Sequence, residues 1–452
     1  MTCQRWHHRY LYIKSKENEM KRRYVVCGVS GRAIAMWIKP LYETFSKYAE
    51  LVGMLDIDPQ RFVVCKKDVP QSKDVPTYKP EEYDKMIEET KPDAVFVVCK
   101  DCFHAHYIIK SLEKNLDVIT EKPMTTNWED SIRVREAEKK SKGKVTCTFN
   151  YRYNPQHRLI RELVLAGKVG RVTHVDLNWY IDIKHGSSYF HRWNRMRENS
   201  GSLSIHKASH HFDLVNWWIG CSDPQKVHAF GALNHYGPNG PFNPSKKDGR
   251  HCSDCAERRQ CAYKARWESR ATSIKVHDDH LDFFDESRGL LYTPELYRPD
   301  MCMFDSEINI HDTIVANVKY SNGVLLNYSA NFSTPYEGYR LAINGTHGRI
   351  EAEEWGGAGS TAFPCPRATD HYVDYYPIFG SRERLSVKPG VGGHGGGDSG
   401  ILEDVFMGVE EKRPYDILAT SKDGLAAISI GDAVFKSITE DRIIDLSDVM
   451  KH

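Results

Sequence analysis

The sequence lacks net charge: 62 lysines and arginines stand against 61 aspartates and glutamates, leaving a formal +1. That balance excludes the basic footprint of a nucleic-acid binder or of a protein drawn to anionic membranes, and leaves a small molecule as the expected partner. It also lacks any apolar run near the roughly 20 residues that cross a bilayer, so no membrane span is expected. Residues 1–22, "MTCQRWHHRYLYIKSKENEMKR", are basic without the apolar core of a secretory signal, and read as an extension with Met20 as an alternative start. Internal repeats are missing, and "GVGGHGGGDSG" is the one low-complexity stretch. Twelve cysteines in 452 residues do not make a disulfide scaffold. Cys27, Cys99 and Cys147 lie in apolar, strand-like runs, as small buried hydrophobes do in a reducing, cytoplasmic compartment.

The length exceeds what one hydrophobic core organises, which predicts two domains. From residue 23 to 148, β-rich runs alternate with helical stretches: "RYVVCGVSGRA", "ELVGMLDID", "DAVFVVCK", "LDVITEKP" and "VTCTFNY". This alternation predicts an α/β domain with a parallel sheet and crossover helices, whose ligands bind at the carboxyl ends of the strands. From 149 to 452 the runs lengthen and carry turn signals such as Ser321-Asn322-Gly323, which predicts an α+β domain with a large, open, mainly antiparallel sheet. A polar insertion holding clustered cysteines spans about 234–302. The tail "SKDGLAAISIGDAVFKSI" has helical apolar spacing and is expected to pack back across the domain junction.

"VVCGVSGRA" places Gly28, Ser30, Gly31 and Ala33 at the spacing of a dinucleotide fingerprint, where small residues let the turn and the next helix approach a pyrophosphate. Asp56 ends the second strand, placed for ribose hydroxyls and favouring NAD; Arg61 could serve the 2′-phosphate of NADP. The plain alternative for Asp56 is a turn residue before Pro59.

These residues, with "CKDCFHAHY", "EKP", "NYRYNP" and "GSLSIHKASHHFDLVNWW" in this order, resemble the glucose-fructose oxidoreductase/inositol dehydrogenase (Gfo/Idh/MocA) family over nearly the whole chain from Arg23. The resemblance implies a Rossmann NAD-binding domain with Gly28, Ser30, Gly31, Arg32, Ala33, Asp56, Arg61, Cys99, His104, Glu121 and Lys122 around the cofactor. It gives Lys122 the place beside the nicotinamide, hydrogen-bonded to the reacting hydroxyl; the bland alternative is a surface lysine after a strand. It makes His210 the base that takes the hydroxyl proton, and Asp213 the acid that follows.

Many relatives carry an aspartate four residues before the histidine; this chain has His206. Spacing of four sets both imidazoles on one helix face, as a hydrogen-bonded pair or as metal ligands. "KHGSSYFHRWNRMRENSG" supplies His185, Tyr189, Arg192, Trp193 and Arg195, aromatic faces and forked donors suited to a sugar or cyclitol. Arg152, Tyr153, Tyr336 and Arg340 are candidates to complete that pocket, and His394 and Asp398 sit on a glycine-rich loop that could cover it.

"HCSDCAERRQCAY" spaces Cys252, Cys255 and Cys261 as C-x2-C-x5-C, two thiolates of which can grip one tetrahedral ion. The resemblance points to Cys302 as fourth ligand of a structural zinc, with His251 as alternate; free thiols or disulfides are the other reading.

Three functions follow as expectations. The first is an NAD(P)-dependent oxidoreductase moving hydride from a sugar, glycoside or cyclitol hydroxyl to nicotinamide, with Lys122 and His210 handling the proton. The second is a redox-assisted glycoside hydrolase or lyase acting through a transient keto-sugar. The third is a non-catalytic NAD-dependent binding protein. The family resemblance also implies a homodimer or homotetramer paired through the open sheets.

Overall fold

The computed structural model describes residues 21–252, 255–263, 274–276, 283–285, 290–292, 300–356, 371–408 and 417–452. The expected N-terminal extension lies, up to residue 20, outside the described residues. Strands β1 (Arg22–Cys27), β2 (Ala49–Leu55), β3 (Thr77–Tyr78), β4 (Ala94–Val97), β5 (Asp117–Thr120) and β6 (Val145–Cys147) form a parallel sheet in the order β6-β5-β4-β1-β2-β3. The central strands are continuously apolar and buried over Tyr24 to Cys27 in β1 and Ala94 to Val97 in β4, as strands covered by helices on both faces require. β3 is two residues long, too short for a period-two signal to mark it in the sequence.

Local chemistry sets where the crossover helices begin. Asp58 accepts the Gln60 amide to start Pro59–Asp68, and Asn127 accepts the Asp130 amide to start Trp128–Lys140. Pro59 takes a first-turn position, where its missing N–H costs nothing.

The second sheet has nine strands, including β7 (Val172–Asp182), β8 (Pro224–Ala232), β12 (Thr313–Tyr320), β13 (Leu325–Thr334), β14 (Gly338–Gly345), β15 (Gly348–Trp355), β16 (Tyr372–Pro377) and β17 (Glu383–Ser386). With β19 (Ile444–Asp445) they run in the order β17-β16-β15-β14-β7-β13-β12-β8-β19, antiparallel except where β13 pairs β7. The β12–β13 hairpin turns at the expected place, with Gly323 at φ +86°. Burial alternates along β12, so one face is packed and the other is open. Within the insertion, β9 (Ile274–Val276), β10 (Phe283–Asp285) and β11 (Leu290–Tyr292) make a small antiparallel sheet.

The C-terminal segment ties the two halves together. β18 (Ala419–Thr420) pairs antiparallel with β6 on the edge of the first sheet. The Ser421–Glu440 helix that follows packs on β8 and on the Trp128–Lys140 helix. Asp432 on that helix accepts the Trp128 amide at 3.1 Å and pairs with Arg197 at 2.7 Å.

Deep in the second half, Arg152 holds Asp213 through two bonds, Nε to Oδ2 at 2.8 Å and Nη2 to Oδ1 at 2.5 Å, and reaches Asp423 at 3.3 Å. Arg152 is 2 % and Asp213 1 % exposed, so neither charge has water to fall back on. Removing one partner of a buried pair strands the other charge. Arg152→Met is therefore expected to cost roughly 3–5 kcal/mol of stability, measured as a lowered midpoint of urea unfolding.

Candidate active site at the strand ends

The carboxyl ends of β1, β2, β4 and β5 bring the glycine turn, Asp56, Cys99 and Lys122 to one edge of the first sheet. Gly28 has φ +93°, and a Cβ there would lie 2.4 Å from the Cys99 backbone. Only glycine lets the turn pass that close. Ser30 Oγ accepts the Ala33 amide and donates to Val98 O, both at 3.2 Å, so this side chain knits the turn instead of opening it. The helix after the turn is widened over Ala33–Ile38 and becomes regular at Lys39–Glu43; Pro40 has no N–H with which to keep the ladder even.

Asp56 accepts the Val29 amide at 2.6 Å and the Asp58 amide at 2.9 Å, one on each oxygen. Each oxygen keeps a lone pair for a further donor. Burial raises its pKa, opposed by these amides and by the Arg61 charge. Arg61 stands 3.9 Å from Asp58. A turn pivoting on Gly28, a helix start and a carboxylate on the next strand fit the pyrophosphate and ribose of a dinucleotide.

Arg32 projects from the turn between two acids: its Nε donates to Glu121 at 2.8 Å, and its Nη2 lies 3.3 Å from Asp398. Glu121 also accepts Trp37 Nε1 at 3.1 Å. Asp398 accepts Asn150 Nδ2 at 2.5 Å and lies 3.0 Å from His394 Nδ1. Burial pushes the Asp398 carboxyl up, but the His394 bond and the Arg32 charge outweigh it and hold the carboxyl well below its usual range. His394 has φ +53° on the glycine-rich loop, which brings its ring to 5.1 Å from Tyr151 and 5.9 Å from His210.

The Lys122–Pro123 peptide is cis. His104 lies between two carbonyls, Pro123 O at 2.8 Å and Cys99 O at 3.0 Å, and so fastens this turn to the end of β4. Lys122 Nζ donates to His206 O at 3.0 Å. Burial lowers the pKa of this ammonium, against the pull of Asp101 and Glu121.

His206 and His210 do not share a helix face. The helix breaks at Lys207, between Leu203–His206 and Ala208–Ile219, which corrects the expected pairing. His206 Nδ1 instead meets Asp101 Oδ2 at 2.5 Å, and its Nε2 lies 3.1 Å from Asn194 Nδ2. The carboxylate that the sequence seemed to lack thus comes from the loop after β4. Burial pushes Asp101 up to about 7, with His104 and Lys122 opposing. Burial, then Lys122 and Arg192, push the His206 imidazole well below its ordinary range.

His210 is 2 % exposed and its Nδ1 is buried without a hydrogen-bond partner. Its ring packs 4.6 Å from Tyr151 and 5.9 Å from Phe149. Burial and the charge of Lys122 keep it neutral, which is the form that accepts a proton.

Asp182 caps the next segment by accepting the Lys184 and His185 amides, so "IKHGSSYF" starts a helix directly at the end of β7. A Cβ on Gly186 would meet Phe332 O at 1.8 Å, so this helix lies flush on β13. His185 bonds Glu337 at 2.9 Å and Tyr189 OH at 2.8 Å. Tyr189 and Trp193 turn edges toward His206 at 5.5 and 5.7 Å. Arg192 is anchored on Ser188, to O at 2.8 Å and Oγ at 3.1 Å.

Several sequence candidates point elsewhere. Asp213 and Arg152 occupy each other, so the expected substrate contacts of both are taken up by structure. Tyr153 is buried and donates to Asp404 at 2.6 Å. Arg195, 1 % exposed, binds Asp305 at 2.7 Å and Cys302 O at 2.9 Å. Arg340 lies on the open sheet face beside Trp355 and Glu353, and Tyr336 packs 5.5 Å from Trp355. In "NYRYNP" the side chains at the site are Asn150 and Tyr151, immediately before Arg152 and Tyr153. Asp101, Tyr151 and Lys207 were missed. Lys207 Nζ is 3.4 Å from Tyr151 OH, and the residue is 5 % exposed.

The expected zinc site is not formed. No three His, Cys, Asp or Glu groups among the described residues stand close enough to hold a metal ion, which covers both the cysteine cluster and the His206–His210 pair. Cys252, Cys255, Cys261 and Cys302 are free thiols. Burial pushes the Cys252 thiol well up and the Cys302 thiol to about 11. The segment is fastened instead by backbone pairing of His251 with Met301, by Cys252 N on Asp300 O at 2.8 Å, and by Arg195 on Cys302 O.

A parallel nucleotide sheet joined to an open antiparallel sheet, with polar side chains crowded at the strand ends, defines a two-domain oxidoreductase with an NAD-binding Rossmann fold. The family models agree: the NAD-binding Rossmann domain of the oxidoreductase family matches residues 22–149, and its C-terminal alpha/beta domain matches residues 161–446. The chain belongs to the Gfo/Idh/MocA family. It is 51 % identical over 431 residues to the putative oxidoreductase YteT of Bacillus subtilis, covering 95 % of this chain and 99 % of that one. It is 28 % identical over 129 residues to inositol 2-dehydrogenase of Corynebacterium glutamicum, 28 % of this chain and 35 % of that protein. The fold is shared with levoglucosan dehydrogenase solved with NADH and levoglucosan, at TM-score 0.61 and 15 % identity over 94 % of this chain and 99 % of that one. It is shared too with the aldose-aldose oxidoreductase of Caulobacter crescentus, at TM-score 0.60 and 16 % identity over 94 % and 100 %.

Lys207 carries a pH signature. Burial pushes its ammonium down to about 8 from 10.5, Glu337 opposing and Lys122 adding to the shift. Between those values the unfolded chain binds more protons, so the penalty is full below about pH 8 and fades toward pH 10.5. Lys207→Met is expected to raise stability at neutral pH by about 1–3 kcal/mol. The gain should shrink steadily as unfolding is repeated from about pH 8 to 10.

Proposed function

We propose that the protein is an NAD-dependent oxidoreductase acting on a hydroxyl of a sugar, glycoside or cyclitol. The observation that carries this reading is a buried, neutral His210 imidazole beside the Lys122 ammonium at the strand ends that face the glycine turn. The nicotinamide, when bound, accepts hydride from the carbon being oxidised. Lys122 hydrogen-bonds the reacting hydroxyl and stabilises negative charge as it develops on that oxygen, and His210 takes the proton. Tyr189 and Trp193 supply aromatic surface for a sugar's C–H groups, and the Asp101 bond holds His206 in place beside them. Relatives named inositol 2-dehydrogenase and neighbours named for levoglucosan and aldoses support the substrate class. Asp56, with a free lone pair on each oxygen, supports NAD, and the pairing of Arg61 with Asp58 turns that cation from a 2′-phosphate.

A second reading, redox-assisted cleavage of a glycoside, draws on His394, whose Nδ1 is held by Asp398 beside His210. An extra imidazole there has a proton to move that simple oxidation does not use. The open face of the nine-stranded sheet, with Asp176, Asn178, Arg340 and Glu353 displayed, is the surface proposed to pair copies of the chain.

Mixing the protein with NAD and a sugar panel should raise the absorbance of reduced nicotinamide, more with NAD than with NADP. Cleavage of an aryl glycoside without net reduction would favour the second reading. Lys122→Ala is expected to lower turnover by roughly 10²–10⁴-fold while leaving NAD affinity within a few fold; unchanged turnover removes its assigned role.

A further inference from the structure

Among the described residues, the acids nearest Lys122 and His206 are paired, and several cations there have no acid partner. Glu121 and Asp398 hold Arg32, Asp101 meets His206, and Glu337 meets His185. Lys122, Lys207, Arg192 and Lys100, by contrast, have no carboxylate within ion-pair distance among the described residues. Lys122 donates to a carbonyl, Arg192 to Ser188, Lys207 faces a phenol at 3.4 Å, and Lys100 lies 6.0 Å over the Trp193 ring. All of them border the same short segment: Lys122 bonds His206 O, Lys207 follows it in the chain, and Trp193 lies against its ring. The charges of Lys122, Arg192 and Lys207 all bear on the His206 imidazole.

A buried ammonium with no carboxylate in direct contact is costly, and Lys207 is 95 % buried, with Glu337 acting on it only from beyond ion-pair distance. A neutral polyol offers hydroxyl acceptors but no charge to offset that cost. The cofactor does not supply it either: its pyrophosphate belongs at the Gly28 turn on the first sheet, whereas Arg192 and Lys207 stand on the second half of the chain, flanking Tyr151 and Trp193.

We infer that the sugar accepted here carries an acidic group, a carboxylate or a phosphate, held by Arg192 and Lys207 while Lys122 meets the reacting hydroxyl. This names the substrate class for the site proposed above, and rests on that reading for the reaction but not for the binding. The bonds from Arg192 to Ser188 fix two of its nitrogens and leave the remaining donors for the acid. Trp193, next in the chain, sets an aromatic face beside it.

The test uses the NAD-loaded full chain with matched sets of probes: glucose, glucuronate and glucose phosphate, and the galactose equivalents. Calorimetry reads binding, and nicotinamide absorbance is followed separately. At least one acidic member of a set should bind about tenfold or more tightly than its neutral parent, with the difference shrinking in added salt; the carboxylate and phosphate arms say which acid. Arg192→Gln should collapse the acid-to-neutral ratio toward one and Arg192→Lys should keep part of it, with melting temperature and NAD affinity showing that each variant is folded. Neutral sugars binding as well as every acidic probe, or no acidic probe binding, overturns the inference. Reduction of nicotinamide by neutral sugars alone also overturns it while leaving the oxidoreductase reading intact. Tight binding of an acidic sugar without nicotinamide reduction leaves the inference standing and counts against that reading.

Discussion

The contact between Lys122 Nζ and His206 O is where the two halves of this protein become one site. The first half supplies an ammonium at the end of β5; the second supplies a helix broken at Lys207, whose last carbonyl points back at it. Had the helix run on unbroken, that carbonyl would belong to the intrahelical ladder. The break therefore frees an acceptor for Lys122, separates His206 from His210, and turns Lys207 toward Tyr151. Three features that look independent in the sequence have one geometric cause.

Around this contact the charges are arranged in chains. Arg32 joins the glycine turn to Glu121 and to Asp398 on the glycine-rich loop, so the nucleotide edge and the C-terminal loop are held by one guanidinium. Asp398 then fixes His394, which approaches Tyr151 and His210. Asp101 crosses from the loop after β4 to His206. The Asp101–His206 bond is nearly buried and the Arg32–Asp398 pair, at 3.3 Å, is partly open, and together they orient these side chains while burial lowers the pKa of the imidazoles.

Much of the fold was legible because it rests on local chemistry. The apolar runs of the first sheet, the Gly28 turn, the Asn322-Gly323 hairpin and the amphipathic tail each follow from a periodicity or a backbone requirement that one segment carries alone. The site was legible as far as position goes, with Lys122 and Asp56 at strand ends and His210 on a helix, their roles being the proposal made above. It was not where residue type leaves the direction of a side chain open. Arg152, Tyr153, Asp213 and Arg195 are polar residues in the right motifs, yet they hold the core together, because a buried helix-to-loop junction needs ion pairs as much as a cleft does. Asp101 stood inside a quoted motif and carried no signal of its own, since its partner is 105 residues away. The cysteine spacing suggested a metal, but the segment is anchored by backbone pairing and Arg195, and no metal-holding group of three forms among the described residues.

The sequence alone determined the two-sheet architecture, the nucleotide turn and the lysine at the strand end, because these depend on residues within one short segment. Tertiary structure decided which histidine faces which acid, which arginines are locked in core ion pairs, and that Lys207 is buried against Tyr151. Those outcomes depend on where separate segments are brought together, and a carboxylate or a carbonyl from a distant loop sets a side chain's charge and direction as firmly as its neighbours in the chain.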